Sequence, residues 1–334
     1  MLQQTTVTAV VPYYERFLQQ FPTVRKLAQA NEQDVLKLWE GLGYYTRARN
    51  ICKTAALIVH DYHGRFPDNL DALIRLPGIG RYTAGAIASF AFNRRTPIVE
   101  ANTLRLYCRL LGFRDDPRSG PGQRQLWHFA ERILPRRAPG RFNQALMELG
   151  AMVCKPNEPD CGHCPLRSCC RAYIDNAQAE IPVPPSLPKI TSVTEATVAI
   201  HGEAGYVLIR HSEGQRWSGM WDFPRFSIES VVDSSVTSNP MAKNSLVSAR
   251  LRKHIERKVL TITGLSVGGL DLLTKIRHSV TRFRITLLCF RAELRSEALN
   301  RATQDCRWIR TKRFGDLPFS VAGRKFANLL AEVD

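Results

Sequence analysis

The chain has 334 residues, of which 44% are hydrophobic and 23% are charged, and it carries a formal net charge of +17. This length suits two domains of ordinary size, and no apolar run approaches the ~18 residues of a membrane helix, so we expect nothing to span a bilayer. Lys and Arg exceed Asp and Glu by 21 to 12 in residues 1–150 and by 17 to 8 in residues 251–334, which favours a polyanionic partner, nucleic acid before an acidic membrane surface.

Apolar residues recur at helical spacing from Val11 to Phe92, so the first part of the chain is predicted to be mainly α-helical. The stretch IPVPPSLPKI (181–190) puts four prolines in ten residues, which neither a helix nor a strand interior accommodates. We therefore expect a helical domain over residues 1–175, a linker over 176–192 and a second domain over 193–334.

The second domain is predicted to be α+β. The segments TVAIHG, YVLIRHS and ITLLCFRAEL read as strands, and the spacing of Leu251, Ile255 and Val259 predicts one helix. Residues 227–245 are polar and rich in serine, which indicates a loop.

Residues 68–92 hold two helical segments joined by the turn Leu76-Pro77-Gly78-Ile79-Gly80. Glycine lets a backbone come close to a partner, and the amides at the next helix N-terminus can hold a phosphate oxygen. Such a turn would grip a DNA backbone through Pro77, Gly78 and Gly80 without reading base sequence. An ordinary turn between two helices also uses such glycines, and the pattern alone does not separate the two.

A lone acid, Glu100, precedes a segment whose apolar residues have helical spacing over 104–111. Asn102 is a good N-cap, so we predict that a helix begins there and that Glu100 lies just before its cap. The helix dipole favours the ionised acid, and a fixed carboxylate can stabilise positive charge that develops on a deoxyribose when its base leaves. The alternative is a solvated loop glutamate.

Five cysteines cluster over residues 154–170, and Cys154, Cys161, Cys164 and Cys170 give the spacing C-x6-C-x2-C-x5-C. One close pair flanked by single cysteines suits a [4Fe–4S] cluster better than zinc, although the spacing alone leaves zinc open. The first ten residues lack the features of a secretion signal, so we expect the nine cysteines to lie in a reducing compartment, the cytoplasm.

These motifs resemble those of the helix-hairpin-helix DNA glycosylases of the endonuclease III superfamily. The stretches LWEGLGYYTRARN, LPGIGRYTAGAI and RFNQALMELGAMVC are similar to the A/G-specific adenine DNA glycosylases of the MutY type, and WSGMWDFPRF and DLPFSVAGRK are similar to the Nudix-like domain of that family. The resemblance implies a mainly α glycosylase domain with an iron–sulfur loop, then an α+β Nudix-like domain. It also implies a [4Fe–4S] cluster and a monomer that hydrolyses the N-glycosidic bond of adenine opposite 8-oxoguanine or guanine in double-stranded DNA.

The resemblance further implies roles for single residues. Glu100 stands where the family normally has a catalytic aspartate, and Asn102 resembles an asparagine near the sugar. Gln4 and Tyr44 resemble residues that wedge into the duplex as adenine is flipped out. Tyr82 occupies the position of the lysine that makes other superfamily members strand-cleaving lyases, so we expect hydrolysis of the base–sugar bond alone.

Three departures from the family pattern qualify these expectations. The family glutamate that protonates adenine lies two residues before the methionine that is Met1 here, so either the recorded start is internal to the natural protein, which we favour, or the chain binds lesions and excises poorly. In the loop that contacts 8-oxoguanine, Thr281 replaces the family serine and Arg282 its histidine. The Nudix box region offers Glu256 as its only acid, so we expect no diphosphate hydrolysis.

Overall fold

The computed structural model describes residues 1–3, 5–185, 189–232, 247–297 and 305–333. In the first part of the chain these residues form helices and no strand, as predicted. The helices are α1 (Val7–Gln20), α2 (Val24–Ala28), α3 (Glu32–Trp39), α4 (Thr46–Asp61), α5 (Leu70–Ile74), α6 (Arg81–Phe92), α7 (Ala101–Leu111), α8 (Gly120–Ile133), α9 (Pro139–Met152) and α10 (Arg171–Ile174).

Short polar side chains define where several of these helices begin. The side chains of Thr23, Asn31, Asn69 and Ser119 accept hydrogen bonds from free amides in the first turns of α2, α3, α5 and α8. An N-cap of this kind satisfies amides that have no partner inside the helix. The same polar residues that interrupt the apolar pattern therefore set the helix boundaries.

The later part of the chain forms one mixed sheet flanked by helices. Its elements are β1 (Thr191–Gly202), β2 (Gly205–Arg210), β3 (Trp221–Asp222), β4 (Arg225–Ser227), α11 (Ala249–Thr263), β5 (Leu265–Val280), β6 (Phe283–Glu297), β7 (Cys306–Ile309) and α12 (Val321–Val333). The strand order is β3-β2-β1-β6-β5, with β4 paired to β1 and β7 to β2. Strands β1 and β6 are parallel, and the other pairs are antiparallel.

Alternating side chains of β1 supply the two faces of this sheet with separate cores. Val198 and Ile200 belong to a buried cluster with Ile255 of α11, whereas Ala199 belongs to a second cluster with Phe326 of α12. Because side chains alternate along a strand, a helix is needed on each side to cover them. The α+β prediction for this region is confirmed by this arrangement.

The predicted strands at TVAIHG, YVLIRHS and ITLLCFRAEL correspond to β1, β2 and β6, and the predicted helix corresponds to α11. Strand β5 was not predicted, because its pairing with β6 contains three register shifts, one of them between Gly268 and Asp271, which break the two-residue alternation. Of the predicted loop 227–245, Ser227 ends β4 and residues 233–245 lie outside the described part.

The chain forms two compact units whose boundaries differ from the predicted domain borders. One unit comprises Met1–Cys52 together with Pro188–Asp334, and the other comprises Lys53–Leu187. Residues Met1–Cys52 thus group with the α+β region rather than with the rest of the helical part. Within the described residues, no helix is long and apolar enough to cross a membrane.

Candidate active site and cysteine loop

The turn between α5 and α6 has the backbone geometry that its glycines predict. Gly78 has φ +76°, a conformation that favours glycine, and Gly80 is the N-cap of α6 without any capping side chain. The Thr54 hydroxyl donates to the Pro77 carbonyl at 2.9 Å, which fixes the turn. A Cβ added to Gly80 would meet nothing within 4 Å, so the N-terminus of α6 is open to a partner.

Tyr82, in the first turn of α6, shares an environment with Glu100. Its phenol is half-buried and lies 4.0 Å from the Met147 sulfur. Burial and, secondarily, the negative charge of Glu100 raise the pKa of Tyr82. The charge of Glu100 thus acts on the Tyr82 phenol, and the raised pKa keeps this phenol protonated.

Glu100 is itself the N-cap of α7, which corrects the prediction that Asn102 caps this helix. Glu100 Oε1 accepts the Asn102 amide at 2.9 Å and the Thr103 amide at 2.8 Å, and the Thr103 hydroxyl accepts the Glu100 amide at 2.9 Å. This reciprocal arrangement is a capping box. The helix begins at Ala101, so Asn102 already lies within its first turn and Glu100 is the residue that faces the free amides.

Both amide bonds fall on the same oxygen of Glu100, and among the described residues no hydrogen bond to Oε2 is found. The carboxylate is thus held in one orientation through Oε1. The second oxygen stays available at the positive end of the α7 dipole.

The side-chain oxygen of Asn102 is held by a neighbouring arginine, and the side chain is partly exposed. Its Oδ1 accepts the Arg105 guanidinium at 3.0 Å, and the same guanidinium donates to the Gly150 and Cys154 carbonyls, each at 2.8 Å. Arg105 is 8% exposed, so these bonds lie in a nearly buried environment. A buried arginine therefore links the start of α7 to the end of α9 and to the first cysteine of the loop.

Helices α7 and α9 are in close contact at Gly150, where an added Cβ would lie 2.9 Å from Asn102 Cβ and 3.0 Å from its carbonyl atoms. We expect Gly150→Ala to lower the free energy of unfolding by about 1–3 kcal/mol, because backbone atoms cannot give way as a flexible side chain does. Gly120→Ala, whose Cβ would meet only the tip of Arg124 at 3.5 Å, is the matched control. Equal denaturation midpoints for both variants would contradict this packing.

The four cysteines proposed as ligands line one pocket together with Arg109, Arg167 and Gln178. Burial, in first place, raises the pKa of the Cys164 and Cys170 thiols, and the other cysteines around the pocket add to both shifts. Cys169 is exposed, and its thiol donates to the Leu166 carbonyl at 3.3 Å. In the described part of the chain, no three Cys, His, Asp or Glu side chains form a compact group for a metal ion.

Arg109, one turn after Arg105 on α7, holds the beginning of this loop. Its guanidinium donates to Cys154 Sγ at 3.3 Å, to the Lys155 carbonyl at 2.7 Å and to the Pro156 carbonyl at 3.0 Å, and it is 3% exposed. Neither buried arginine was predicted from the sequence. Their only signal is a charged pair four residues apart within an otherwise apolar helix, which is normally read as a solvent-facing pair.

Tyr44 belongs to the other compact unit, in the turn between α3 and α4. Gly41, Gly43 and Tyr44 all have positive φ, and the Tyr44 ring is 52% exposed. Arg47 holds this turn from within, because its guanidinium donates to the Gly43 carbonyl at 3.3 Å and lies 5.4 Å from the Tyr44 ring centroid. Trp39 Nε1 also donates to the Gly43 carbonyl, at 3.1 Å. The turn thus presents an aromatic ring to solvent on a constrained backbone.

Thr281 lies at the tip of the hairpin between β5 and β6. It has φ +50°, and its exposed hydroxyl donates to the Val280 carbonyl at 2.8 Å. Its neighbour Arg282 is exposed, with the guanidinium 5.2 Å from the Phe283 ring centroid. The other predicted wedge residue, Gln4, lies outside the described residues.

Residues 1–132 match the profile of the HhH-GPD superfamily base excision DNA repair proteins. The adenine DNA glycosylase of Mus musculus is 31% identical, and the match covers 97% of this chain and 69% of the mouse protein. The chain belongs to the adenine DNA glycosylase family.

Other family members extend beyond the region they share with this chain. The adenine DNA glycosylase of Homo sapiens is 40% identical over 67% of this chain, which spans 41% of the human protein. That of Buchnera aphidicola subsp. Acyrthosiphon pisum is 38% identical over 68% of this chain and 65% of its own length. A solved non-covalent endonuclease III–DNA complex is 26% identical, with a TM-score of 0.46 over 52% of this chain and 79% of that chain.

Membership of the adenine DNA glycosylase family, together with the observed helices and mixed sheet, confirms the predicted order of a mainly α helix-hairpin-helix glycosylase domain followed by an α+β domain. It also confirms the predicted class of function, a DNA glycosylase of base-excision repair that acts on DNA. None of the comparisons favours the alternative of a catalytically impaired lesion-binding protein.

Proposed function

We propose that this protein hydrolyses the N-glycosidic bond of adenine mispaired with 8-oxoguanine or guanine in double-stranded DNA, and that Glu100 is its catalytic carboxylate. The observation that carries the proposal is the Glu100 carboxylate itself. Oε1 is fixed by two backbone amides, and Oε2 takes no hydrogen bond from the described residues. The charge of Glu100 also contributes to the raised pKa of Tyr82, in the helix that follows the glycine turn.

The chemistry follows from where charge develops. When the bond between the adenine nitrogen and the sugar C1′ breaks, the electron pair leaves with the base and positive charge grows on the deoxyribose. A carboxylate held in one orientation stabilises that charge without reorganising, or bonds to C1′ transiently. Water then adds its oxygen to C1′, any carboxylate–C1′ bond breaks with its electron pair returning to Glu100, and the proton released by water balances the negative charge that left with adenine. Asn102, beside Glu100 and oriented by Arg105, is proposed to contact the sugar.

DNA contacts are proposed at three places. The Pro77-Gly78-Ile79-Gly80 turn would hold a phosphate at the open N-terminus of α6. Tyr44, exposed on its constrained turn, and Gln4 would fill the space left when adenine leaves the stack. Thr281 would offer its hydroxyl oxygen to the base opposite adenine.

The four cysteines that share the pocket fit the [4Fe–4S] cluster that the family is known to carry. Their spacing, one close pair flanked by single cysteines, suits this cluster better than structural zinc, which usually takes two close pairs. Cys154, Cys161, Cys164 and Cys170 would hold the cluster, whose role here is to fix the loop. Arg109 would stabilise the cysteine sulfur at 154 by a charge-assisted hydrogen bond.

The proposed activity is tested by single-turnover assays on duplexes in which adenine lies opposite 8-oxoguanine, guanine or thymine. We expect adenine release from the first two and little from the third, with an intact sugar-phosphate backbone until alkali is added. Because Tyr82 supplies no amine, borohydride should trap no covalent adduct with abasic DNA. A trapped adduct would contradict the monofunctional mechanism, and mispair binding without any release would favour a lesion-binding protein.

We further infer that the protein acts as a monomer in a reducing compartment such as the cytoplasm, where its thiols stay available to a cluster. These two statements remain predictions.

A further inference from the structure

An ion pair connects the turn that carries Tyr44 to helix α12 near the end of the chain. Glu40 directly precedes the turn, and its carboxylate receives Arg324 Nε at 2.6 Å and Arg324 Nη2 at 2.9 Å. The Phe319 amide donates to the same carboxylate at 3.2 Å. The Arg324 side chain is 24% exposed and the Glu40 side chain is 16% exposed, so solvent screens this bidentate pair less than an ordinary surface pair.

The other side of the turn is attached to a second segment of the Nudix-like region. Arg49, in the first turn of α4, donates to the Ser218 hydroxyl at 2.7 Å, and Ser218 is 5% exposed. Gln33 of α3 makes two more bonds to this segment, donating to the Gly219 carbonyl at 2.9 Å and accepting Trp221 Nε1 at 2.8 Å. Both helices that flank the turn are therefore bound to residues 218–221.

The residues that make these attachments are themselves fixed. Arg324 also donates to the Phe314 carbonyl at 2.9 Å and to the Leu317 carbonyl at 2.7 Å. Ser320, which caps the helix that carries Arg324, donates to buried Asp222 at 2.6 Å. Because these bonds hold the Arg324 side chain in place, Arg324 fixes the position of Glu40 rather than adapting to it.

We propose that Arg324, acting through Glu40, is a positioning residue for Tyr44, so that the Nudix-like region sets the geometry of the aromatic wedge as well as contacting the opposite base. The inference rests on the proposed role of Tyr44 in base extrusion. Its physical basis is the turn's backbone, in which Gly41, Gly43 and Tyr44 have positive φ. Glycine adopts positive φ without strain, but Tyr44 at φ +50° does not, and such a residue keeps this conformation only where the surrounding structure determines it from several sides.

The experiment replaces adenine by 2-aminopurine opposite 8-oxoguanine, because the fluorescence of this base rises when it leaves the stack. On the duplex that contains adenine, we expect Arg324→Gln to slow single-turnover release of adenine on the order of tenfold. On the duplex that contains 2-aminopurine, it should reduce the fluorescence rise, and Tyr44→Ala should have the same two effects. Arg313→Gln, which removes an exposed arginine paired to Asp316 in the segment before α12, is the matched control and should match the unmodified chain in both measurements.

A double-mutant cycle tests whether Arg324 acts through the wedge. If it does, adding Arg324→Gln to Tyr44→Ala should change the release rate by less than about twofold. Full additivity, or a normal fluorescence rise in Arg324→Gln, would overturn the inference even if Tyr44→Ala is defective. If Tyr44→Ala itself behaves normally, the proposed role of Tyr44 fails instead, and the inference falls with it.

Two further variants keep the test valid if Arg324→Gln unfolds. Arg324→Lys retains the charge but loses the bidentate geometry, so it should be intermediate in fluorescence. Glu40→Gln changes the other partner and should show the same loss as Arg324→Gln. A normal rise in 2-aminopurine fluorescence in both variants would exclude the proposed positioning role.

Discussion

Replacing Glu100 by glutamine is expected to reduce the single-turnover rate of adenine release on the order of a thousandfold, while affinity for the mispair stays within about threefold of the original. Glutamine retains an oxygen that can accept the Asn102 and Thr103 amides, so the cap of α7 is preserved and only the negative charge is lost. The measurement is single-turnover release together with a binding titration on the same duplex.

Two variants separate charge from position. Glu100→Asp keeps the negative charge, and aspartate is a favoured N-cap, so this variant should retain more activity than Glu100→Gln even though its carboxylate is displaced by one methylene. Thr103→Ala removes the reciprocal half of the capping box, so it should lower the free energy of unfolding by about 1 kcal/mol with little loss of rate. Undiminished release by Glu100→Gln would refute the catalytic role.

Replacing Cys170 by serine is expected to remove the iron–sulfur cluster, whereas replacing the adjacent Cys169 should leave it in place. Cys170 lines the common pocket, but Cys169 is exposed and hydrogen-bonds to its own loop. Visible absorbance and iron content report on the cluster, with about four iron atoms expected per chain in the unmodified protein and in Cys169→Ser. We expect Cys170→Ser to lose at least about tenfold in activity, because its loop is no longer held.

Cys169→Ser and Cys170→Ser are matched variants, because both changes have the same chemistry and differ by one position. Loss of iron in Cys169→Ser with retention in Cys170→Ser would reverse the ligand assignment. If the protein instead contains one zinc ion per chain and shows no visible absorbance, the cysteines hold the zinc ion that their spacing left open.

The sequence predicted those parts of the site that depend on local rules. The glycines of the hairpin turn and the acid ahead of α7 could be identified because turn geometry and helix starts depend on a few consecutive residues. The N-cap of α7 was misassigned because a short polar residue is the statistical favourite, while the structure uses the longer Glu100.

Long-range polar contacts could not be predicted in the same way. Arg105 and Arg109 look like ordinary helix-surface charges until the ends of α9 and the cysteine loop pack over them. Arg324 and Glu40 are 284 residues apart, and no local pattern connects them. Strand β5 was not predicted for a related reason. Its register shifts depend on its pairing with β6, which no local sequence pattern reveals.

The compact unit that joins Met1–Cys52 to Pro188–Asp334 has a consequence for how the chain folds. Trp221 bonds to Gln33 across 188 residues, and buried Met220 packs in one cluster with Leu36 and Trp39. During synthesis the earliest helices emerge long before these partners exist, and closing so long a loop makes this the slow part of folding. Interruption of synthesis shortly after the cysteine loop would leave α3 with an uncovered apolar surface, a species prone to aggregation.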